Sequence, residues 1–276
     1  YPSYTTIGEA VGMSKKTVAK YVAMLVDKGL ITVEHTRIWA KDGRRMNGSL
    51  LYTIRPIREA VELRNQRQLR ELEETVARSN AKALAEIVRG EGFASPKATY
   101  QGTASCFAGV TKSWSDAGVP VVTTCDGPSG IRMESSAQAT CIPVGALLAS
   151  AWAPELFEDM YKCLTDEMKH YDIDILLGPG MNIHRSGLCG RNFEYFSEDP
   201  YLTGVYADKL SSYFTKNGFF ATLKHFAVNS QEISRKDENE VLSERALREI
   251  YLKGFEICVK ESDPKLIMTA YNIVND

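Results

Sequence analysis

No two cysteines of this 276-residue chain stand in C-x-x-C spacing; Cys106, Cys125, Cys141, Cys163, Cys189 and Cys258 are scattered singly. No His/Cys cluster has zinc-ligand spacing either, so neither a metal site nor a disulfide framework is read, and no cofactor is expected. That usage fits a reducing cytoplasm. No apolar run approaches the roughly 18 residues of a membrane span, and no charged-then-apolar leader opens the chain, so no membrane partner is expected. Methionine is missing from position 1, where the chain begins Tyr1-Pro2, and the last residue, Asp276, follows directly on a strand-like segment. The chain is therefore expected to be cut at both ends.

What remains is ordinary for a soluble globular protein: 44% hydrophobic and 25% charged residues, in a length that suits two domains. The formal net charge of −2 hides an asymmetry, since residues 1–90 carry +6 and residues 91–276 carry −8. Such a split suggests two modules with different partners, the basic one facing a polyanion.

Residues 5–11 make a short helical stretch closed by Gly12, and Ser14 caps a second helix over residues 15–28. Val18, Tyr21, Val22, Leu25 and Val26 fall on one face of that helix. Lys15, Lys16, Thr17 and Lys20 fall on the opposite face. Residues 30–36 and 50–55 read as two strands of a hairpin turning at Asp42-Gly43, with Lys41, Arg44 and Arg45 at its tip. A short helix, a tight turn, a longer helix and a basic hairpin form a helix-turn-helix layout with a wing. The stretch PSYTTIGEAVGMSKKTVAKYVAMLVDKGLI resembles the winged helix-turn-helix domains of bacterial regulators and plasmid replication initiators. The resemblance covers residues 1–58 and implies double-stranded DNA as a partner, met by Lys15, Lys16, Thr17, Lys20, Arg44 and Arg45. It departs from those domains in lacking a helix before residue 5, which would leave the three-helix core incomplete.

Residues 59–89 contain neither glycine nor proline and are rich in Glu, Arg, Ala, Leu and Gln, so propensity predicts one long helix. Leu69, Leu72, Val76 and Ala83 keep an approximate heptad stripe, broken at Ser79-Asn80. Both a weak coiled coil and an inter-domain strut fit it, and the strut is preferred because the stripe is short. Gly90 and Gly92 end the helix, and residues 95–115, small and polar, read as a connector over a domain surface.

From residue 119 strands and helices alternate: strand 119–125, helix 154–171, strand 173–177, helix 201–216, strand 219–223, helix 243–261, strand 266–270. That is a parallel α/β pattern, four strands of a partial (β/α)8 barrel. Between strand 173–177 and the helix at 201 lies a loop of more than twenty residues, and loops beyond about 12–15 residues inside a compact domain are usually functional. It holds His184, Arg185, Arg191, Asn192, Glu194, Glu198 and Asp199 among Phe193, Tyr195 and Phe196. Guanidinium forks, carboxylates and aromatic faces together suit a polyhydroxylated ligand such as a sugar. An Ω-loop held by its own Arg–Glu pairs is the alternative. Polar residues also cluster after the other strands: Asp126 in TCDGPSGIR, Lys224-His225 in LKHFAVNSQE, and Tyr271-Asn272 in MTAYN.

TTCDGPSGIR, LLGPGMNIHRSGLCGRNFEYFSEDPYLTG, LKHFAVNSQE and LIMTAYNIVN, in this order over residues 112–276, resemble the N-terminal barrel domain of glycoside hydrolase family 3, the family of β-glucosidases and related exo-acting enzymes. The resemblance implies a β-glucoside or oligosaccharide substrate. It assigns Asp126 as a carboxylate accepting from sugar hydroxyls, Arg191 and the Lys224-His225 pair as donors to hydroxyls, and Tyr271 as a contact near the reacting carbon. Capping of a following turn is the alternative role of Asp126, a satisfied core position that of His225, and His184 is read as structural. The family's nucleophile is an aspartate in a Ser-Asp-Trp or Thr-Asp-Trp motif on a later strand. Ser113-Trp114-Ser115-Asp116 has the wrong order and position to replace it, so no catalytic residue is assigned and this chain is expected to be inactive.

The organisation expected is thus a winged helix-turn-helix module over 1–58, a linker helix over 59–92 and the first part of a family 3 barrel over 93–276. Function is read as a sugar-binding half-site of a retaining β-glucosidase. The alternatives are a DNA-binding regulator or replication initiator, or an accidental join of the two near Gly90.

Overall fold

The computed structural model describes residues 3–39 and 45–276. It divides into two compact units, Tyr1–Asn80 and Ala81–Asp276.

In the first unit, helix α1 (Tyr4–Val11) starts at Ser3, whose hydroxyl accepts the Thr6 N–H, and stops at Gly12, where φ of 68° suits glycine. Ser14 does the same for α2 (Lys15–Asp27), accepting from Thr17 N at 3.1 Å. Strands β1 (Ile31–Trp39) and β2 (Arg45–Ile54) pair antiparallel, Ile31 opposite Ile54, and both run further than the expected 30–36 and 50–55. The Asp42-Gly43 turn, Lys41 and Arg44 lie outside the described residues. The apolar face expected of α2 is only partly covered. Val18 and Val22 are buried, whereas Tyr21, Leu25 and Val26 stay exposed, because within this unit α1 and the edge of β1 are the main neighbours that α2 has.

The single helix expected over 59–89 is two helices, α3 (Ile57–Arg78) and α4 (Ala81–Val88). Ser79 takes an extended conformation (φ −79°, ψ 146°), and its hydroxyl donates back to Thr75 O at 2.8 Å. Ser and Asn offer the backbone such local partners in competition with the helix.

In the second unit the residues read as a connector are structural. Residues 105–108 form β3 (Ser105–Ala108), with Cys106 and Ala108 buried, and α5 (Lys112–Asp116) follows, its Trp114 buried and donating Nε1–H to Ala83 O at 3.0 Å. The order then runs β4 (Val121–Asp126), α6 (Gly145–Ser150), α7 (Glu158–His170), β5 (Ile175–Leu177), α8 (Pro200–Lys216), β6 (Phe220–Phe226), β7 (Asn239–Glu240), α9 (Glu244–Ala246), α10 (Lys253–Glu261), β8 (Leu266–Thr269) and β9 (Ile273–Val274). Two expected helices are less regular than their pattern: a 3₁₀ turn (Pro154–Phe157) precedes α7, and a π-helical turn (Leu247–Tyr251) separates α9 from α10.

The main sheet has the order β3-β4-β5-β6-β8. β3 lies antiparallel to β4, and the other four strands are parallel, so the sheet is mixed and five-stranded rather than the parallel four expected. It curls into part of a (β/α)8 barrel with helices on its outside, an α/β half-barrel. Tyr161, Leu164 and Met168 of α7 and Leu210 and Phe214 of α8 pack on Cys125, Leu176 and Ala221. Further along, Tyr206 and Ala207 of α8 meet Phe255 and Cys258 of α10 over Leu223. A methyl group on Gly204 would sit 2.7 Å from Ile257, so glycine sets how closely α8 and α10 approach. Residues 221–225 of β6 are all buried, as expected of a central strand in a covered parallel sheet, yet Thr222, Lys224 and His225 are among them. Buried ionisable side chains need partners, and those partners define the site.

Candidate functional site

Asp126 is the last residue of β4, and the chain turns sharply after it. Gly127 has φ 129°, and a Cβ there would lie 1.8 Å from Gly130 O, so only glycine fits. Lys224 reaches the same end of the sheet from β6. Residues 178–199, between β5 and α8, bring Arg191, Phe193 and Glu194, and the segment after β6 brings Glu232 and Arg235. Together they line a cleft of about 540 Å³ at the carboxyl ends of β4, β5 and β6, with Arg132 on its wall. In α/β barrels this rim is where active sites are built.

Charges alternate through the cleft. Lys224 Nζ donates to Asp126 Oδ1 at 3.0 Å and stands 3.6 Å from Glu194 Oε2, with Lys224 and Glu194 almost fully buried. Glu194 Oε1 also accepts from Arg191 Nε, whose Nη1 lies 3.9 Å from Glu232 Oε1. Glu232 Oε2 accepts from Arg235 Nη1 at 2.7 Å. Burial opposes the charge on Arg191, but the Glu194 carboxylate outweighs it and holds the guanidinium's pKa above its ordinary value. Three carboxylates and three cations thus form one connected set. The Arg–Glu pairing proposed for a self-packed loop is present, and it forms the wall of the cleft. Asp126 also accepts from Gly127 N at 3.1 Å, a contact within the turn that follows it. Both bonds fall on Oδ1, and Oδ2 has no protein donor among the described residues. Phe193, 54% exposed, adds an aromatic side chain to the cleft lining.

The family profile described as "Glycosyl hydrolase family 3 N terminal domain" matches residues 58–276. The chain belongs to glycosyl hydrolase family 3. A β-glucosidase from Ruminococcus albus is 47% identical over 204 residues, which are 74% of this chain and 21% of that protein. A β-glucosidase structure from Paenibacillus barengoltzii superposes with a TM-score of 0.72 at 46% identity, covering 89% of this chain and 29% of that one. β-Glucosidase 3B from Thermotoga neapolitana, solved in complex with glucose, superposes at 0.68 with 39% identity, covering 74% and 30%. The chain spans about a fifth of the length of the curated family 3 relatives it matches. The family match begins at residue 58 and runs through Gly90, so the expected join at Gly90 is not where the family sequence begins.

Of the residues that the family resemblance singled out, Asp126, Arg191 and Lys224 meet in the cleft, while His225 and Tyr271 do not line it. His225 is buried behind Lys224, bonded at Nδ1 to Tyr195 Oη at 3.2 Å and held through its backbone by Asn182. Tyr271 is 60% exposed and lies 5.0 Å under the Arg235 guanidinium, joined to the cleft through that cation. Glu232, Arg235, Arg132 and Asn229 were not found from sequence. Glu232 and Asn229 stood inside the quoted LKHFAVNSQE motif and Arg132 at the end of TCDGPSGIR, which were the available signals. Among the described residues no group of three or more His, Cys, Asp or Glu side chains is placed to hold a metal ion, and no helix is long and apolar enough to cross a membrane.

Burial, with the cations of Arg191, Lys224 and Arg235 adding to it, pushes the His225 pKa down to about 2. The unfolded chain takes up a proton at this residue below about pH 6.5 and the folded chain does not, so stability falls as pH falls. The expected slope from this residue is about 1.4 kcal/mol per pH unit below pH 6. Urea midpoints at pH 7.5, 6 and 5 measure it. His225→Gln should flatten the dependence, and a variant as pH-sensitive as the unsubstituted chain would contradict the assignment.

Proposed function

We propose that the cleft holds the terminal glucosyl unit of a β-glucoside, as the sugar-binding half-site of a retaining β-glucosidase in family 3. The observation carrying this reading is the Lys224 ammonium, buried between Asp126 and Glu194 at the floor of a cleft that also presents Arg191 and Phe193. A fixed donor beside a carboxylate oxygen without a protein donor matches the paired donor and acceptor demands of vicinal hydroxyls. The glucose complex of the Thermotoga neapolitana relative supports glucose as the probe. Calorimetric titration of the 276-residue chain with glucose should give saturable binding that Asp126→Ala abolishes. Equal heats for both chains would reject the site. The six cysteines are unbridged, which supports a cytoplasmic setting.

A second reading concerns the first unit, where we propose winged helix-turn-helix contact with double-stranded DNA, over residues 1–58 as one module with 59–92 as a linker to the barrel part at 93–276. Exposed Lys15, Lys16 and Lys20 on α2 favour it; Thr17, bonded to Ser14 Oγ, is half-buried, and Arg45 opens β2. Affinity for a duplex should fall steeply with salt as phosphates release counterions, and Lys15→Glu with Lys16→Glu should remove it. Binding indifferent to both would sink this reading.

A further inference from the structure

Behind the cleft a second row of side chains runs from Glu232 through Asn229 and Tyr195 to His225, and its hydrogen bonds have a definite direction. Asn229, Tyr195, His225 and Asn182 are all buried. Asn229 Nδ2 makes two contacts, to Glu232 Oε1 at 2.9 Å and to Tyr195 Oη at 2.9 Å. Glu232 is held by Arg235 at Oε2 and faces Arg191 at Oε1, and a carboxylate oxygen accepts, so the atom facing Oε1 is the amide nitrogen and its second N–H goes to the tyrosine oxygen. Tyr195 Oη is therefore an acceptor toward Asn229 and must place its own proton elsewhere. His225 Nδ1, at 3.2 Å, is its remaining neighbour in hydrogen-bonding range among the described residues.

At the histidine the alternatives are equally constrained. Asn182 Nδ2 donates to His225 O at 2.9 Å and Asn182 Oδ1 accepts from His225 N at 2.9 Å, which fixes the orientation of that amide. Asn182 Oδ1 also lies 3.3 Å from His225 Nδ1, a contact that bonds only when Nδ1 carries the proton. That arrangement would leave a buried tyrosine O–H with no acceptor, which is the more expensive defect, whereas Asn182 Oδ1 is already satisfied by the backbone N–H.

We propose that Tyr195 is a positioning residue: anchored by Asn229 and Glu232, it donates its hydroxyl proton to His225 Nδ1 and so fixes His225 as the tautomer carrying its proton on Nε2. Glu232 serves both layers, orienting Arg191 and Arg235 on the cleft and, through Asn229, the histidine behind it.

The test is long-range proton–nitrogen NMR on the full chain labelled with ¹⁵N-histidine, the His225 signals being those lost in His225→Gln. In the unsubstituted chain the proton is expected on Nε2. In Tyr195→Phe it is expected to move to Nδ1, where Asn182 Oδ1 becomes the acceptor. A proton on Nδ1 in the unsubstituted chain overturns the proposal, whether or not Tyr195→Phe folds. So does a proton that stays on Nε2 in a folded Tyr195→Phe chain, because the tyrosine would then not be what fixes the tautomer. Failure of the unsubstituted chain to bind glucose rejects the sugar site alone, because the spectrum decides the tautomer independently of it.

Discussion

The 276-residue chain is expected to leave an aryl β-glucoside intact. Retention needs one carboxylate free to attack the anomeric carbon and a second, about 5–5.5 Å away, to exchange a proton with the leaving oxygen. Each carboxylate of the cleft is already engaged: Asp126 with Lys224, Glu194 with Lys224 and Arg191 while buried, and Glu232 with Arg235 and Asn229. Asp116, the aspartate beside a tryptophan-containing stretch, is exposed on α5 and paired with Lys112, while Trp114 is buried in the fold. Holding the sugar without a nucleophile forgoes the covalent step, a loss on the order of 10⁶-fold in rate in a hydrolase whose nucleophile is removed. Release of p-nitrophenol should therefore match a protein-free blank. Turnover that persists through purification and vanishes in Asp126→Ala would show that Asp126 itself reacts.

Lys224→Met should be the most damaging single substitution in the second unit. The methionine keeps most of the stem volume but leaves Asp126 and the buried Glu194 facing each other without the ammonium between them. Breaking a buried ion pair from one side is worth about 3–5 kcal/mol, and because Glu194 retains Arg191 the lower end, about 3 kcal/mol, is expected as a drop in the urea midpoint. Glucose binding should disappear as well. Lys224→Arg is not a rescue, since a planar fork replaces a compact charge in a space closed on both sides. A Lys224→Met chain as stable as the original would mean that the ion pairs contribute nothing net.

The alternation of apolar runs with helical stripes from residue 119 onward was enough to read an α/β half-barrel, because β4, β5 and β6 are short, largely buried and followed by turn chemistry. It was silent on β3, whose Ser105-Cys106-Phe107-Ala108 is too short and too small in side chain to look like a strand; only pairing with β4 buries it. Propensity also overran Ser79-Asn80, where local hydrogen bonding ends α3. In the site, Asp126 and Lys224 were legible as charged residues at strand ends and Arg191 as one of the charged residues of the long loop after β5, with their roles implied by the family resemblance. The connections were not, since Asp126 and Lys224 meet across 98 positions of chain and the Asn229–Tyr195–His225 row joins two loops and a strand. Pairings of that kind are set by the register of β4, β5 and β6 rather than by any local pattern.

Amide chemical-shift mapping with glucose tests the central claim most directly, because it locates the ligand as well as detecting it. Saturable shifts are predicted to centre on Asp126, Gly127, Arg191, Phe193 and Lys224, and to vanish in Asp126→Ala. Shifts confined instead to the separate cleft lined by His184, Arg185, Glu240 and Tyr251, or an unchanged spectrum at saturating glucose, would contradict the assignment.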